Sequence, residues 1–204
     1  MIKECEARLQ KLIDSIEDTR IKNVVERLTS CDGYRTKRAS DTHHNYVGGL
    51  MQHALEVAEN GVTLAAYFEN QNGNKVKLSK DFIIFGGLLH DIGKTLMEDD
   101  ELKLPRYYSH VAIGANMIYK ELKKENFTRD EIDQLANIIM AHHSKITKEP
   151  NSVPYKSLEA YIIHTCDSAS AVITTGIKAI ESGAQVFTVY AQTELKPAFL
   201  GKNE

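Results

Sequence analysis

Thiols are scarce in this chain of 204 residues: Cys5, Cys31 and Cys166 are the three cysteines, odd in number and too far apart for a C-x-x-C pair. That argues against a disulfide framework and a zinc knuckle, and points to a reducing, intracellular setting. No uninterrupted apolar run approaches the ~20 residues of a membrane span, and the opening Met1-Ile2-Lys3-Glu4-Cys5-Glu6 lacks the long apolar stretch of a secretory leader. A cytoplasmic protein with no membrane partner is expected. Basic charge is not in excess either. A net charge of −3 argues against a nucleic-acid binder held mainly by protein charge, although bound divalent cations would change that locally. Internal repeats, low-complexity segments and sustained polar/apolar alternation are all missing. With 42% hydrophobic and 26% charged residues the chain is an ordinary globular one, long enough to bury a core.

What the chain has instead is histidine: eight of them, from His43 to His164. They fall on a run of helical periods. Ile2 to Ile16 and Ile21 to Leu28 read as two amphipathic helices that carry no catalytic residue types and serve as a lid or buttress. Cys31 to Asp41 reads as a loop, with Arg35, Lys37 and Arg38 available to grip phosphate. A helix from about Asn45 to Phe68 carries His53 at the edge of its apolar face, with Gly49 four residues earlier leaving open the space that His53 reaches into. Ser79 caps the next helix, apolar on every side and therefore central, which ends in His90-Asp91-Ile92-Gly93-Lys94. Gly86 stands before His90 as Gly49 stands before His53. His110 opens a further helix. Thr128 with Glu131 forms a capping box, and Leu135, Ile139 and His142 continue one buried stripe while His143 points about 100° away, making His142 the better ligand. A long helix from about Tyr155 to Ser182 centres Asp167 on a small, polar face, with His164 in a supporting or core role. The tail around Gln185 to Tyr190 is too short for a sheet, and Lys196-Pro197-Ala198-Phe199 is expected to close over the surface.

Burying an imidazole and a carboxylate side by side is costly unless a charge or hydrogen bonds compensate, and a divalent cation supplies the compensation. Several separate helices each place a histidine or aspartate at an end or on a buried face, a coincidence far less ordinary than any one of them. Imidazole and carboxylate ligands without thiolate suit manganese, iron, zinc, cobalt or magnesium, with manganese or iron favoured, and suit calcium poorly. The pattern predicts an all-α bundle of about six to eight helices with a short extended C-terminal tail.

The order His53, His90-Asp91, Asp167 resembles the metal signature of the HD-domain phosphohydrolases, and His90 to Lys94 matches their H-D-I-G-K form. His110 and the pair His142-His143 resemble the members that bind two metals, among them the HD-GYP cyclic-dinucleotide phosphodiesterases. Thr42-His43-His44-Asn45-Tyr46-Val47-Gly48-Gly49-Leu50, with Ala141 to Lys145 and Lys196-Pro197, is most similar to the HD domain of YhaM-type 3′–5′ exoribonucleases. The likeness runs from about residue 8 to 200. It departs in having no room for the N-terminal OB-fold of those enzymes, in Ser170 where some members carry a second carboxylate, and in lacking Gly-Tyr-Pro after His143.

The resemblance implies one HD-type domain over 1–204, with 1–30 as a helical buttress and 42–182 as the metal-site core. His53, His90, Asp91 and Asp167 would hold one ion; Asp91 as a bridge, His110 and His142 would hold a second. Asp91, Lys94 and His143 are the implied catalytic residues, with Lys94 meeting charge on the phosphoryl oxygens; His44 and Arg38 join Lys94 as substrate contacts. The expected activity is hydrolysis of phosphodiesters by a metal-activated water, as a 3′–5′ exonuclease on short single-stranded RNA or DNA. A nucleotidase or cyclic-(di)nucleotide phosphodiesterase is the enzyme alternative, and a non-catalytic, metal-stabilised nucleotide-sensing module is the alternative of another class.

Overall fold

The structure, a computed structural model, describes residues 2–97, 109–144 and 153–183, with the backbone of 187–189 and 193–195. Helices run over α1 (Ile2–Asp14), α2 (Thr19–Thr29), α3 (Asp32–Thr36), α4 (Gly49–Gln71), α5 (Lys80–Leu89), a 3₁₀ helix (Ile92–Leu96), α6 (His110–Lys124), α7 (Arg129–Ala141) and α8 (Leu158–Glu181). The fold is all-α apart from a short C-terminal ribbon. None of the described helices is long and apolar enough to cross a membrane.

Side-chain caps set where these helices begin. Asp18 accepts from the Arg20 amide, Ser79 from Phe82, Ser109 from Val111 and Ser157 from Ala160, while Thr128 and Glu131 form the reciprocal capping box expected of them. The apolar helix α5 is the axis. Ile83, Ile84, Phe85, Leu88 and Leu89 are all buried, and α4, α8, α2 and α7 pack around them. Burying such side chains contributes roughly 1.5–3 kcal/mol each. The two N-terminal helices join the same core through Cys5, Leu9, Ile13, Ile21, Val24 and Val25. Arg8 of α1 pairs with Glu59 of α4 through two hydrogen bonds, and Asp81 at the start of α5 accepts from the Glu17 and Asp18 amides.

Three expectations change. The segment Cys31 to Asp41 is no plain loop: it contains α3, and Tyr34 is fully buried with its hydroxyl donating to the Leu88 carbonyl at 3.0 Å. The tail, expected to stay unpaired, forms an antiparallel ribbon, β1 (Phe187–Val189) against β2 (Thr193–Leu195), with Thr188 opposite Glu194. Lys196 to Phe199, like Lys145, lies outside the described residues. Finally, the glycines one turn before the histidines do not make room for the site. A Cβ on Gly86 would meet Ile138 Cγ2 at 2.5 Å, and one on Gly49 would meet the His44 carbonyl oxygen at 1.9 Å. Both are demanded by neighbouring elements that pack too close for a side chain.

Candidate metal centre

Five elements deliver the cluster. His53 comes from the first half of α4, His90 is the C-cap of α5, and Asp91 follows it at the turn into the 3₁₀ helix. His110 is the first residue of α6, His142 is the C-cap of α7 with His143 beside it, and Asp167 lies inside α8. The two C-cap histidines share a local logic. His90 Nδ1 donates to the Gly87 carbonyl at 2.9 Å and His142 Nδ1 to Ile139 at 2.5 Å. Each ring thus satisfies a last-turn carbonyl of its own helix and turns its other nitrogen toward the cluster. Gly93 admits the start of α6, since a Cβ there would fall 1.9 Å from the His110 carbonyl oxygen.

The polar atoms form two adjoining groups around Asp91. In the first, His53 Nε2 lies 3.2 Å from His90 Nε2 and 3.1 Å from Asp167 Oδ1. Asp91 Oδ2 is 3.5 Å from His90 Nε2 and 3.8 Å from His53 Nε2, and His90 Nε2 is 3.8 Å from Asp167 Oδ1. In the second, Asp91 Oδ1 is 3.1 Å from His110 Nε2 and 3.7 Å from His142 Nε2, and His110 Nε2 is 3.1 Å from His143 Nε2. Ligands about 2.1 Å from one ion sit roughly 3.0 Å apart at an octahedral edge and roughly 3.4 Å apart at a tetrahedral one. The contacts of His53 Nε2 with His90 Nε2 and Asp167 Oδ1 have that spacing, and the remaining distances of the first group run from 3.5 to 3.8 Å. In the second, Asp91 Oδ1 and His142 Nε2 are buried without a hydrogen bond of acceptable geometry. Uncompensated buried acceptors of this kind are what a cation satisfies. The residues present therefore fit divalent metal, and the two oxygens of Asp91 face one group each.

Electrostatics, His90 apart, agree with ligand readiness. Burial would raise the Asp91 carboxyl, but Lys94, whose Nζ lies 2.6 Å from Oδ2, together with His90, His110 and His142 holds it well below the usual range. Burial likewise opposes ionisation of Asp167, yet the His53 hydrogen bond and the charges of His90, His53 and His142 hold it down too. Burial lowers His53 and His110, favouring the neutral imidazole, whereas for His90 the attraction of Asp91 and Asp167 outweighs burial and raises it. Ionised carboxylates and neutral imidazoles are the forms that bind a cation.

His143 lies closer to the cluster than a continued helix would place it. Helix α7 stops at Ala141, so His142 and His143 share a turn, their ring centroids 4.0 Å apart. His143 Nδ1 is 3.6 Å from Asp167 Oδ2, and its side chain is 51% exposed at the rim. Lys94 points inward, bound to Asp91. Arg38 is held by Asp41 at 2.8 Å and Asn45 at 3.3 Å. His44 lies behind His43, buried, with Nδ1 3.1 Å from His43 Nδ1 and Nε2 3.1 Å from Glu56 Oε1. His164 donates to the His142 carbonyl at 2.6 Å and so steadies that turn.

Sequence reasoning gave no site role to three residues. His43 packs its ring 4.8 Å from that of His53 and joins His44 and His53 in a third histidine-rich group. Glu56 and Ser170 meet behind His53, with Ser170 Oγ 2.7 Å from Glu56 Oε2 and 3.1 Å from His53 Nδ1. Helical spacing was the signal: Glu56 is three residues after His53 and Ser170 three after Asp167, so each shares a face with a ligand candidate.

Comparison with known proteins follows the same lines. The family described as HD domain matches residues 50–172. A dihydroneopterin 2′,3′-cyclic phosphate phosphodiesterase of Methanocaldococcus jannaschii is 28% identical over 186 residues, covering 81% of this chain and 69% of the relative. Ribonuclease Y of Fusobacterium nucleatum is 29% identical over 158 residues, covering 74% of this chain but only 25% of the relative. No solved structure matches.

Proposed function

This chain belongs to the HD-domain family, and from that premise we propose that it is a metal-dependent phosphohydrolase that opens the phosphodiester of a small, nucleotide-like cyclic phosphate. The observation that carries the reading is Asp91, a buried carboxylate with one oxygen toward His53 and His90 and the other toward His110 and His142. His53, His90, Asp91 and Asp167 would hold one divalent ion, manganese or iron by preference; Asp91, His110 and His142 would hold the second, with His143 in reach. Such ions supply a water of lowered pKa and electrophilic stabilisation of the phosphoryl oxygens.

The protein's own groups complete the site. Lys94 keeps Asp91 ionised and brings a fixed cation next to the place where phosphoryl charge develops. His143, half exposed beside His110, is placed to contact the phosphate or the leaving oxygen. His43 takes the substrate-facing position expected of His44, which stands behind it, and Arg38 offers a further contact from the same loop. A cyclic substrate is preferred because the relative that acts on one aligns over most of both chains. A second reading, trimming of short single-stranded RNA or DNA from the 3′ end, is favoured by the ribonuclease relative, although this chain spans only a quarter of its length.

A panel tests both readings: 2′,3′-cyclic mononucleotides, cyclic dinucleotides, mononucleotides and 5′-labelled oligonucleotides, with manganese-loaded wild type and Asp91→Ala. Ring opening of the cyclic mononucleotides, lost in Asp91→Ala, is expected. Stepwise shortening of oligonucleotides without ring opening would replace the first reading by the second. A folded, metal-loaded wild type inert toward every member would leave a nucleotide-sensing module.

A further inference from the structure

Behind the metal ligands lies a chain of hydrogen bonds whose direction is set by a single anion. Glu56 sits on α4, one turn after His53, and its carboxyl is ionised. Burial would raise it, but hydrogen bonds from His44, Ser170 and Gln52 hold it down to about 2. An ionised carboxylate only accepts. The Ser170 hydroxyl, 2.7 Å from Oε2, must therefore donate to it. With its hydrogen committed, Ser170 Oγ can only accept from His53 Nδ1 at 3.1 Å, which calls for a hydrogen on Nδ1. His53 Nε2 faces His90, Asp91 and Asp167, and Asp167 Oδ1 at 3.1 Å is the acceptor for an Nε2 hydrogen while no ion is bound. The other carboxylate oxygen works in the same direction. Oε1 accepts from Gln52 Nε2 at 3.2 Å and from His44 Nε2 at 3.1 Å, which leaves His44 Nδ1 to accept from His43 Nδ1 at 3.1 Å.

We propose that Glu56 and Ser170 are positioning residues that hold the Nδ1 hydrogen of His53, so that an ion binding at Nε2 has only the hydrogen shared with Asp167 to displace. The inference rests on His53 being a metal ligand, as in the function proposed above, and adds what makes it one. A histidine that ligates through one nitrogen needs its other N–H satisfied, and losing such a partner typically costs about 10–100-fold in metal affinity.

Glu56→Gln is a directional test because the amide is isosteric but not symmetric. Gln52 and His44 both donate at the Oε1 position, so the amide oxygen stays there and its NH2 group falls on Ser170. Ser170 Oγ must then accept from the amide and donate to His53 Nδ1. The His53 hydrogen moves to Nε2, where it blocks the ion.

Two measurements read this: ¹⁵N NMR of the histidines in metal-free protein, and titration with manganese alone. Wild type should show a hydrogen on His53 Nδ1. Glu56→Gln should show it at Nε2 and bind manganese about 10–100-fold more weakly. Ser170→Ala should lose affinity, and Ser170→Thr, which restores the hydroxyl, should recover it. Wild-type His53 without a hydrogen on Nδ1, or a folded Glu56→Gln with unchanged protonation at Nδ1 and unchanged affinity, overturns the proposal. Should Glu56→Gln not fold, equal manganese affinity of the Ser170→Ala and Ser170→Thr proteins overturns it instead. Neither readout involves turnover, so an inert wild type that still shows the tautomer exchange removes the proposed function and supports this inference.

Discussion

Gly87→Ala is the substitution that ties packing most directly to the site. Gly87 lies on α5 against α4, and a Cβ there would fall 2.4 Å from Ala58 Cα and 2.6 Å from its backbone nitrogen. Neither atom can rotate away, so the helices must part by about 1 Å to reach ordinary contact. Overpacking of this kind costs ~1–3 kcal/mol, with rigid backbone on the receiving side placing it at the upper end. The helix propensity gained on replacing glycine returns only ~1 kcal/mol. A net loss of about 2 kcal/mol corresponds to a melting midpoint lower by roughly 4–8 °C in a chain of this size. The same displacement separates His53 on α4 from His90 on α5. Their Nε2 atoms are 3.2 Å apart, and a further ~1 Å exceeds the roughly 3.0–3.4 Å edge of one ion's ligand set. Manganese affinity should fall by about 10-fold or more, a loss of the size seen when ligand support is removed. Gly61→Ala on α4 is the contrast. Its Cβ would meet a side-chain methyl, Ile83 Cγ2, at 2.8 Å, so its stability should stay within about 1 kcal/mol of wild type with metal affinity kept. Thermal melts and manganese titrations of both proteins decide the matter. A Gly87→Ala protein with wild-type midpoint and affinity would refute the close-approach argument.

Manganese at a hundred times its dissociation constant should stabilise the fold by ~2.7 kcal/mol, roughly 5–11 °C in midpoint; a chelator should reverse the shift and Asp91→Ala abolish it, and a wild-type midpoint indifferent to manganese would show that the cluster holds no ion. Metal-free protein should lose stability on acidification. His43 is depressed from 6.5 to about 3, chiefly by burial and then by His53, Lys94 and His44, so the unfolded chain binds its proton first. The stability it contributes is complete above about pH 6.5 and is lost as pH falls toward 3, by up to ~5 kcal/mol at about 1.4 kcal/mol per pH unit. Asp91 and Asp167, also depressed, add to the loss below about pH 4, while His90, being raised, favours the folded state below its ordinary value and opposes the trend. Urea midpoints between pH 7 and 4 measure the sum, and a midpoint constant over that range would contradict these assignments.

What could be read from the sequence and what could not divide along a physical line. Helix starts were legible because a cap is a local event: Ser79 reaches Phe82, and Thr128 reaches Glu131, within one turn. The ligand candidates were legible for a related reason, since a histidine on a buried stripe conflicts with its surroundings wherever the rest of the chain lies. Gly49 and Gly86 were misread because the atoms that exclude a side chain there, the His44 carbonyl and Ile138, come from other elements. The Tyr34 hydroxyl bond to Leu88 spans 54 residues of sequence and leaves no local mark. His143 was placed by extending the helix past its end. His43 and His44 precede α4 on a loop with no period to extrapolate, and His44 takes a positive φ of 47° that no helix or strand pattern announces.

The motif His90 to Lys94 accounts for most of the convergence because it builds structure and site with the same atoms. His90 closes α5 and stays in helical conformation, so its ring folds back on Gly87. Asp91 leaves the helix at φ −101° and ψ 10°, which releases its carboxylate from the α5 face and lets the two oxygens point to different neighbours. The 3₁₀ turn that follows brings Gly93 under the His110 carbonyl and returns Lys94 to Asp91 Oδ2. An α-helical continuation would have carried Asp91 about 100° away from His90 on a rigid rod. The change from α-helix to 3₁₀ helix at this one residue therefore lets a single carboxylate serve both groups of histidines.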